Sequence, residues 1–315
     1  MIKKKVGLKA LAVELGLSIT AVSRALRDCD DISEETKEMV RQKAIELGYL
    51  PNKVIKLLNN ENQKTIGFVL DNLASPFIGM ILDYMLRDLR DKDVSTLIIP
   101  SFQNELSQSI IEECARQSVG VIISFLSPNK DSVDFANMCQ IPIIVFGRDS
   151  KFDVDVICTD DYLGGSLVAK YFKELNLKKL GYLGAPHITC DSARYLGFKD
   201  TALKLGYSQI VYLDSTYNEQ DKIKELKLDG IFAFNDELVC KVLNTNEKHD
   251  FKIVGYDGLS KNLNYPYDIT SLVGNYEEMA KDTINIALKH FENDYKLENR
   301  INKKYEVHLQ KGRTA

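Results

Sequence analysis

A short stretch near the amino terminus holds the side chains whose types and spacing are best suited to chemistry. It combines three hydroxyl groups, one apolar side chain and one guanidinium: Ser18, Ile19, Thr20, Ser23 and Arg24. Short polar groups at the start of a helix can bind phosphates, and an arginine can read O6 and N7 of guanine with two hydrogen bonds. The stretch therefore predicts contact with DNA, provided that it lies on an exposed helix.

The neighbouring residues supply such a helix. A short helix over 9–15 is followed by Gly16, which breaks it, and Ser18 is a natural N-cap for a second helix that runs to Leu26. Two helices joined by a tight turn containing glycine form the arrangement that places the second helix in the major groove of DNA. Apolar residues are predicted to pack the two helices together: Leu11, Leu15, Leu17, Val22 and Leu26. A small helical bundle with an exposed polar face remains the alternative.

A third helix completes a predicted all-α headpiece over residues 1–50, which a linker over 51–63 joins to the rest. Ser33 caps this helix, and its first turn carries Glu34 and Glu35, where the helix dipole favours negative charge. The first 60 residues contain 11 Lys/Arg and 8 Asp/Glu, whereas the whole chain has a formal net charge of −4. A contact with nucleic acid is therefore expected on this segment and not along the whole surface.

From residue 64 onward, short β-branched runs alternate with amphipathic stretches. Strands are predicted over 65–70, 95–99, 119–123, 141–146, 180–184, 209–213, 230–234 and 252–256, with helices between them. This rhythm is typical of an α/β fold with parallel sheets, here in two lobes resembling a periplasmic binding protein in plan. The first lobe is expected over about 64–160 plus about 276–315, including a strand near 304–309, and the second over about 161–275. A ligand cleft is expected between them.

Composition excludes several other classes of protein. The chain has 315 residues, of which 44% are hydrophobic and 27% charged, as in an ordinary globular protein. Six cysteines lack any CxxC spacing, so neither a zinc site nor a redox motif is indicated, and neither metal nor cofactor is expected. No apolar run reaches the ~18 residues of a membrane span, and the basic start lacks an apolar signal-peptide core. We therefore expect a cytoplasmic protein without a membrane partner.

Three motifs in and after the headpiece carry a resemblance to a known family. They comprise a spaced pattern at Ala12, Gly16, Leu17, Ser18, Val22, Ser23, Arg24 and Leu26, the run Ile32-Ser33-Glu34-Glu35-Thr36, and the run Leu47-Gly48-Tyr49-Leu50-Pro51-Asn52. Together they resemble the lactose-repressor/galactose-repressor (LacI/GalR) family of bacterial transcription regulators, and the likeness covers nearly the whole chain. Ala21 and Arg27 depart from the usual Thr and Asn of that family.

The resemblance implies a hinge helix after the headpiece, in which Asn52, Lys53, Ile55 and Leu58 contact DNA. A helix of about seven residues is too short to persist alone in water, so it is expected to order where two copies meet over DNA. Leu58 would then enter the minor groove as a wedge, while Lys53 holds a phosphate. In the alternative interpretation, Leu58 packs on the following strand.

In the body, the resemblance implies a small effector molecule bound between the lobes. Its matching positions are Phe77, Arg148, Arg194, Tyr217, Asn235 and Asp257. Arginine donors, a carboxylate, an amide and aromatic faces suit a polyol. Two plainer interpretations stay open: Arg194 and Asp257 form an ion pair between the lobes, and Phe77 belongs to the core. Gly147 stands where many members of the family have an acidic residue and Gly274 where they usually have a long polar side chain, so an altered pocket is expected.

These observations predict a homodimeric transcription regulator, a repressor, whose affinity for palindromic double-stranded operator DNA is controlled by a sugar or sugar phosphate. The alternative is a solute-binding protein or sensor that does not read DNA. No enzyme is expected, because the chain has no dinucleotide-binding, P-loop, nucleophile-elbow or zinc-protease motif.

Overall fold

A computed structural model describes residues 8–26, 29, 31–47, 64–101, 103–186, 189–215, 219–244, 249–263, 265–292 and 300–315. The predicted hinge residues Asn52, Lys53, Ile55 and Leu58, together with Tyr217, lie outside these residues. The described residues form the headpiece helices and most of the two-lobed body.

The described part of the headpiece contains three helices, α1 (Leu8–Leu15), α2 (Ile19–Leu26) and α3 (Glu34–Leu47). Gly16 has a φ of +63°, the left-handed backbone that the tight turn between α1 and α2 requires. The Oγ of Ser18 accepts a hydrogen bond from the backbone N–H of Ala21 at 3.0 Å, as predicted for the N-cap of α2. The three helices share a small core of Leu11, Ala12, Val22, Ala25, Val40 and Ala44. Packing these apolar faces together leaves the start of α2 in solvent.

The body contains strands and helices in regular alternation. In chain order, the strands are β1 (Thr65–Leu70), β2 (Ser95–Pro100), β3 (Val121–Ser124), β4 (Ile143–Phe146), β5 (Asp155–Thr159), β6 (Leu180–Gly184), β7 (Ile210–Asp214), β8 (Gly230–Ala233), β9 (Lys252–Tyr256), β10 (Thr270–Gly274), β11 (Asn302–Tyr305) and β12 (Val307–Gln310). The helices are α4 (Pro76–Leu89), α5 (Gln108–Arg116), α6 (Lys130–Cys139), α7 (Asp161–Glu174), α8 (Thr189–Lys204), α9 (Glu219–Glu225), α10 (Asp236–Leu243), α11 (Leu259–Asn262) and α12 (Tyr276–Lys289).

The strands form two six-stranded sheets, one in each lobe. The first has the order β11-β5-β4-β3-β1-β2, with all neighbours parallel. The second has the order β12-β10-β9-β8-β6-β7, and in it only the pairing of β10 with β12 is antiparallel. Apolar clusters line both faces of each sheet, where α4 and α12 oppose α5 and α6, and α7 and α8 oppose α9 and α10. The predicted α/β class with two lobes and largely parallel sheets is therefore confirmed.

The carboxyl-terminal strands differ from the expectation. One strand near 304–309 was predicted to complete the first lobe, but Glu306 separates two strands that belong to different sheets. The register pairs Leu272 with Leu309 in the second sheet, and Ile253 donates its backbone N–H to the carbonyl of Thr314. Residues 307–315 therefore pack with the second lobe, because they supply its missing edge and not that of the first.

The chain passes between the lobes at three short connections. They lie between β5 and α7, between β10 and α12, and between β11 and β12, at Asp160, Asn275 and Glu306. No helix within the described ranges is long and apolar enough to span a bilayer.

Candidate functional site

A cleft of about 190 Å³ lies where the carboxyl ends of strands from both sheets face each other. In open parallel sheets this is the edge where ligands bind. Residues that directly follow strands supply much of its polar lining: Asp71 after β1, Gly147 and Arg148 after β4, Asn235 after β8, and Asp257 after β9. The strand ends therefore determine which polar groups meet in the cleft.

Arg194 is the most firmly held polar residue of the cleft. Its Nε donates to Oδ1 of Asp161 at 2.9 Å, and its Nη1 donates to the carbonyl oxygen of Phe234 at 2.7 Å. The guanidinium lies 3.5 Å from the ring centroid of Tyr256 and 4.6 Å from that of Phe234. Both members of the Arg194–Asp161 ion pair are buried. Nε and Nη1 are engaged within the protein, and among the described residues Nη2 is the nitrogen left to donate to a ligand.

Asp257 places a buried carboxylate at the same wall of the cleft. Its φ of 99° is in the left-handed region, which is uncommon for a residue with a side chain. Burial raises the pKa of Asp257 to about 7, an effect that the charge of Arg194 opposes and that Glu237 and Asp161 reinforce. A carboxylate held in this way can accept hydrogen bonds from ligand hydroxyls, which would replace the water that it loses on burial.

The start of α10 adds an amide and a link between the lobes. The Oδ1 of Asn235 caps the helix by accepting from the backbone N–H of Leu238 at 2.9 Å, so the side-chain NH₂ of Asn235 is directed to other partners. Two residues later, Oε1 of Glu237 accepts a hydrogen bond from the Oγ of Ser75 at 2.7 Å. Ser75 precedes α4 in the first lobe, so this bond joins the two lobes across the cleft.

Arg148 is also paired within the protein. Its Nη2 lies 2.8 Å from Oδ2 of Asp71, and its side chain is only 10% exposed. The first-lobe wall of the cleft therefore presents a neutralised arginine.

Nearby, the rings of Phe77 and Tyr276 meet edge to face with centroids 5.1 Å apart. Aromatic faces of this kind can cover the C–H groups of a sugar.

The structure brings together the described members of the predicted effector set: Phe77, Arg148, Arg194, Asn235 and Asp257 all line the cleft. Phe77 also packs against the first-lobe core, as the plainer interpretation predicts, and its contact with a ligand stays a prediction. The suggested ion pair between Arg194 and Asp257 across the lobes is wrong. Arg194 pairs with Asp161, and Asp257 lies in the same lobe as Arg194, because α8 and β9 both belong to the second sheet's layers.

Sequence reasoning did not identify Asp71, Glu237 or Tyr276, which also line the cleft. Asp71 directly follows a predicted buried strand, and that position alone could have indicated it. Glu237 lies two residues after Asn235, at the start of a predicted helix. For Tyr276, no local signal distinguishes a cleft residue from an ordinary helix start.

The raised pKa of Asp257 leads to a testable pH dependence. Folding stabilises the protonated form, because the ordinary pKa is 3.8 and the folded value is about 7. The folded chain therefore holds a proton that the unfolded chain releases, so this contribution to stability is complete below about pH 4 and is lost as the pH rises through 7. We expect Asp257→Asn to gain stability relative to the original protein as the pH rises, measured by urea unfolding between pH 5 and 8. A stability difference that is constant with pH would contradict this prediction.

The helix α2 presents the predicted DNA-reading residues on the headpiece surface. Ser18, Ile19, Thr20 and Arg24 are exposed, with Ile19 at 48%, and Ser23 is half-buried. The Nε of Arg24 donates to Oδ1 of Asp31 at 3.1 Å, and Nη2 lies 2.8 Å from the same oxygen. An exposed helix with hydroxyls at its start and an arginine one turn later has the features needed to contact a duplex.

The cysteines take no part in a metal or disulfide site in the part of the chain that the structure describes. All six are free thiols, and no group of three or more His, Cys, Asp or Glu there is arranged to hold a metal ion. Burial raises the pKa of Cys190, which lines the cleft, to about 11, so its thiol stays protonated at neutral pH.

Comparison with known proteins agrees with this architecture. Residues 8–52 match the family described as bacterial regulatory proteins of the lacI family, and residues 63–228 match the periplasmic binding proteins and sugar binding domain of the LacI family. The sucrose operon repressor of Streptococcus mutans is 27% identical over 290 residues, covering 87% of this chain and 89% of that protein. The transcriptional repressor PurR of Haemophilus influenzae is 24% identical over 302 residues, covering 90% of each.

Solved structures share the fold at low sequence identity. A complex of the transcriptional regulator CelR with cellobiose has a TM-score of 0.69 at 19% identity, covering 99% of this chain and 100% of that one. The lac repressor dimer bound to operator and an anti-inducer has a TM-score of 0.67 at 18% identity, covering 99% of each chain. The family match over residues 63–228 alone spans more than half of the chain, and the family match over residues 8–52 covers its headpiece. The protein therefore belongs to the LacI family of bacterial regulatory proteins and is a DNA-binding transcription regulator with a ligand-binding body.

Proposed function

We propose that the chain is a homodimeric repressor whose affinity for a palindromic operator is controlled by an uncharged sugar bound between the lobes. The headpiece over 1–50 would read DNA, the linker over 51–63 would insert Leu58 into the minor groove, and the body would bind the sugar and dimerise. The observation that carries the sugar assignment is a cleft in which donors, acceptors and aromatic faces converge while both arginines are already neutralised.

The charges of the cleft favour an uncharged sugar over a sugar phosphate. Arg148 is paired with Asp71 and Arg194 with Asp161, so neither arginine has its full charge available for an anion. Glu237 and Asp257 add two further carboxyl groups to the lining. A phosphate monoester carries roughly −1.5 to −2 charges at neutral pH and would meet this acidic surface at close range. A neutral polyol would instead donate hydroxyl protons to the carboxylates.

The proposed control acts through the angle between the lobes. A sugar that contacts both walls binds the closed arrangement better and so shifts the population toward it. The three connections at Asp160, Asn275 and Glu306 would transmit closure to the first lobe. In a symmetric dimer, this motion would change the spacing of two headpieces on two half-sites and hence operator affinity.

Calorimetric titration of the full chain tests the ligand assignment. The names of the relatives suggest sucrose, cellobiose and ribose as probes, to be compared with glucose and glucose 6-phosphate. We expect at least one uncharged sugar to bind, to be recovered unchanged, and to alter affinity for an operator selected from a random duplex library. Preferential binding of glucose 6-phosphate would contradict the charge argument. An enriched operator without any effect of sugars would contradict the control mechanism.

The alternative function is solute binding without DNA reading. Against it stands the packed headpiece, whose helix α2 keeps Ile19 and Arg24 exposed, an arrangement that a solute receptor does not need. Selection on random duplex DNA separates the two functions. A palindrome should be enriched if the chain is a regulator, and the absence of any enriched sequence in the presence and absence of the bound sugar would favour the solute receptor. As a reader of bacterial DNA, the protein would act in the cytoplasm.

The hydrogen bond from Ser75 to Glu237 leads to a further prediction. Ser75→Ala removes a bond to a charged acceptor that only a closed cleft can form, and we expect sugar affinity to fall by about tenfold, or ~1.4 kcal/mol. Calorimetry measures the change. Ser107→Ala is a matched control, because Ser107 also stands at a helix N-cap without a capping side-chain bond, and its hydroxyl hydrogen-bonds to Ser109 on the same helix and, among the described residues, to no group of the other lobe. Equal losses in the two variants would contradict a closing role for Ser75.

A further inference from the structure

The guanidinium of Arg24 is held from one side by a carboxylate in the loop before α3. Nε donates to Oδ1 of Asp31 at 3.1 Å, and Nη2 lies 2.8 Å from the same oxygen. The side chains remain 45% and 50% exposed, so the pair lies at the surface of the headpiece and not in its core. Asp31 was not among the residues that the sequence indicated for DNA contact.

This contact determines which part of the guanidinium can face a base. An arginine has five N–H groups in a rigid plane and can bind two acceptors along its side edge, through Nε and Nη2, or along its outer edge, through Nη1 and Nη2. The carboxylate of Asp31 occupies the side edge. Among the described residues no partner is bound by Nη1 or by the outer N–H of Nη2, and these N–H groups form the pair that matches O6 and N7 of guanine.

We infer that Asp31 is a positioning residue that determines specificity: its carboxylate fixes the guanidinium of Arg24 so that the outer edge is presented to guanine. The inference rests on the proposed role of Arg24 in reading DNA. Orientation matters because a flexible arginine can equally bind a phosphate, which carries no sequence information. Restraint of the guanidinium by Asp31 therefore disfavours the phosphate contact as well as favouring the contact with guanine.

The charge of Asp31 has a second and opposite effect. A carboxylate beside the recognition helix repels the phosphates of any duplex, whatever its sequence. Asp31 is therefore expected to lower affinity for random DNA while raising discrimination among sequences. These two effects have different signs, and that combination separates a positioning role from a merely structural one, which would weaken all binding together.

The test begins with the full chain and an operator selected from a random duplex library. Competition with duplexes substituted at single positions gives the base preference at each position, and Arg24→Lys identifies the position at which that preference depends on the arginine. At this position we expect Asp31→Asn to reduce the preference for guanine by about two- to fivefold. Affinity for a random duplex at the same salt concentration should rise about twofold. Asp31→Glu, which keeps the carboxylate, should retain most of the preference.

Two controls make the result specific. Glu14→Gln makes the same change of charge at an exposed position of α1, and it should leave the guanine preference unchanged. In the Arg24→Lys background, Asp31→Asn should have no further effect on base preference, because Asp31 acts through the arginine. Thermal unfolding of each variant verifies that the headpiece is intact.

Three results would overturn the inference, and they differ from one another. An unchanged guanine preference in Asp31→Asn, with a clear loss in Arg24→Lys, would refute the positioning role alone. A uniform loss at every position would identify Asp31 as a structural residue. No enriched sequence, or no position that depends on Arg24, would refute the DNA-reading role of Arg24, and the inference would fall with it.

Discussion

Arg194→Ala is expected to abolish sugar binding and to lower the free energy of unfolding of the body by about 3–5 kcal/mol. The substitution removes the cation that neutralises buried Asp161, whose carboxylate would then be left without its ion-pair partner. It also removes the donor to the carbonyl of Phe234 and the stacking on Tyr256. Urea unfolding followed by circular dichroism measures the loss of stability, and calorimetry measures the loss of sugar binding.

A matched variant and a double variant separate the two effects. Arg87→Ala removes an arginine from an exposed ion pair with Asp83 on α4, and we expect it to cost at most about 1 kcal/mol. Adding Asp161→Asn to Arg194→Ala removes the uncompensated charge, so part of the stability should return while sugar binding stays absent. If Arg194→Ala were as stable as Arg87→Ala, the buried ion pair between Asp161 in α7 and Arg194 in α8 would not stabilise the body.

Gly197→Ala is expected to destabilise the second lobe by about 3 kcal/mol or more, at the upper end of overpacking effects. A Cβ at Gly197 would lie 2.0 Å from the carbonyl oxygen of Tyr162, and backbone of a neighbouring helix cannot move aside cheaply. The close approach of α7 and α8 also includes a hydrogen bond at 3.3 Å from the Oγ of Ser166 in α7 to the carbonyl oxygen of Gly197 in α8. Because Arg194 precedes Gly197 by one helical turn, displacing α8 should weaken sugar binding as well.

Thermal unfolding of Gly197→Ala tests this prediction against a control of the same chemistry. Gly79 lies in α4 with an exposed position and no atom within 4 Å of an added Cβ. Gly79→Ala should therefore stabilise the protein by about 0.5–1 kcal/mol, since alanine is the better helix former. A normal melting temperature for Gly197→Ala would mean that the two helices can separate without cost.

Local patterns predicted most of the fold but missed two central strands. β5 begins with Asp155, and β10 begins with Thr270 and Ser271, so neither reads as an apolar run. The partners that make these polar residues acceptable are remote in sequence. Oδ1 of Asp155 accepts from the backbone N–H of Ile301, and the Oγ of Ser271 donates to Asp236. Periodicity cannot anticipate such contacts, because it contains no information about residues more than a few turns away.

The candidate site was likewise predicted in part from the sequence and in part missed. Strand ends and the family resemblance placed Asn235 and Asp257 in the cleft correctly, because the carboxyl ends of parallel strands meet at one edge. The partner of Arg194 was not predicted, since Asp161 lies on another helix and nothing in the sequence ranks it above Asp257. Charge balance in the cleft, on which the proposed preference for an uncharged ligand rests, depends on those pairings, and they join residues that are remote in sequence.

The single residue between β11 and β12 affects how the protein folds during its synthesis. Neither sheet is complete until residues 302–310 have been synthesised, because β11 completes the first sheet and β12 the second. At translation rates of about 5–20 residues per second, β5 spends on the order of ten seconds outside the ribosome before its neighbour β11 emerges. Throughout that interval β5, an interior strand of the finished sheet, is an edge strand that can pair with strands of other nascent chains. The nascent chain should therefore depend on chaperones until β11 and β12 complete the two sheets almost simultaneously.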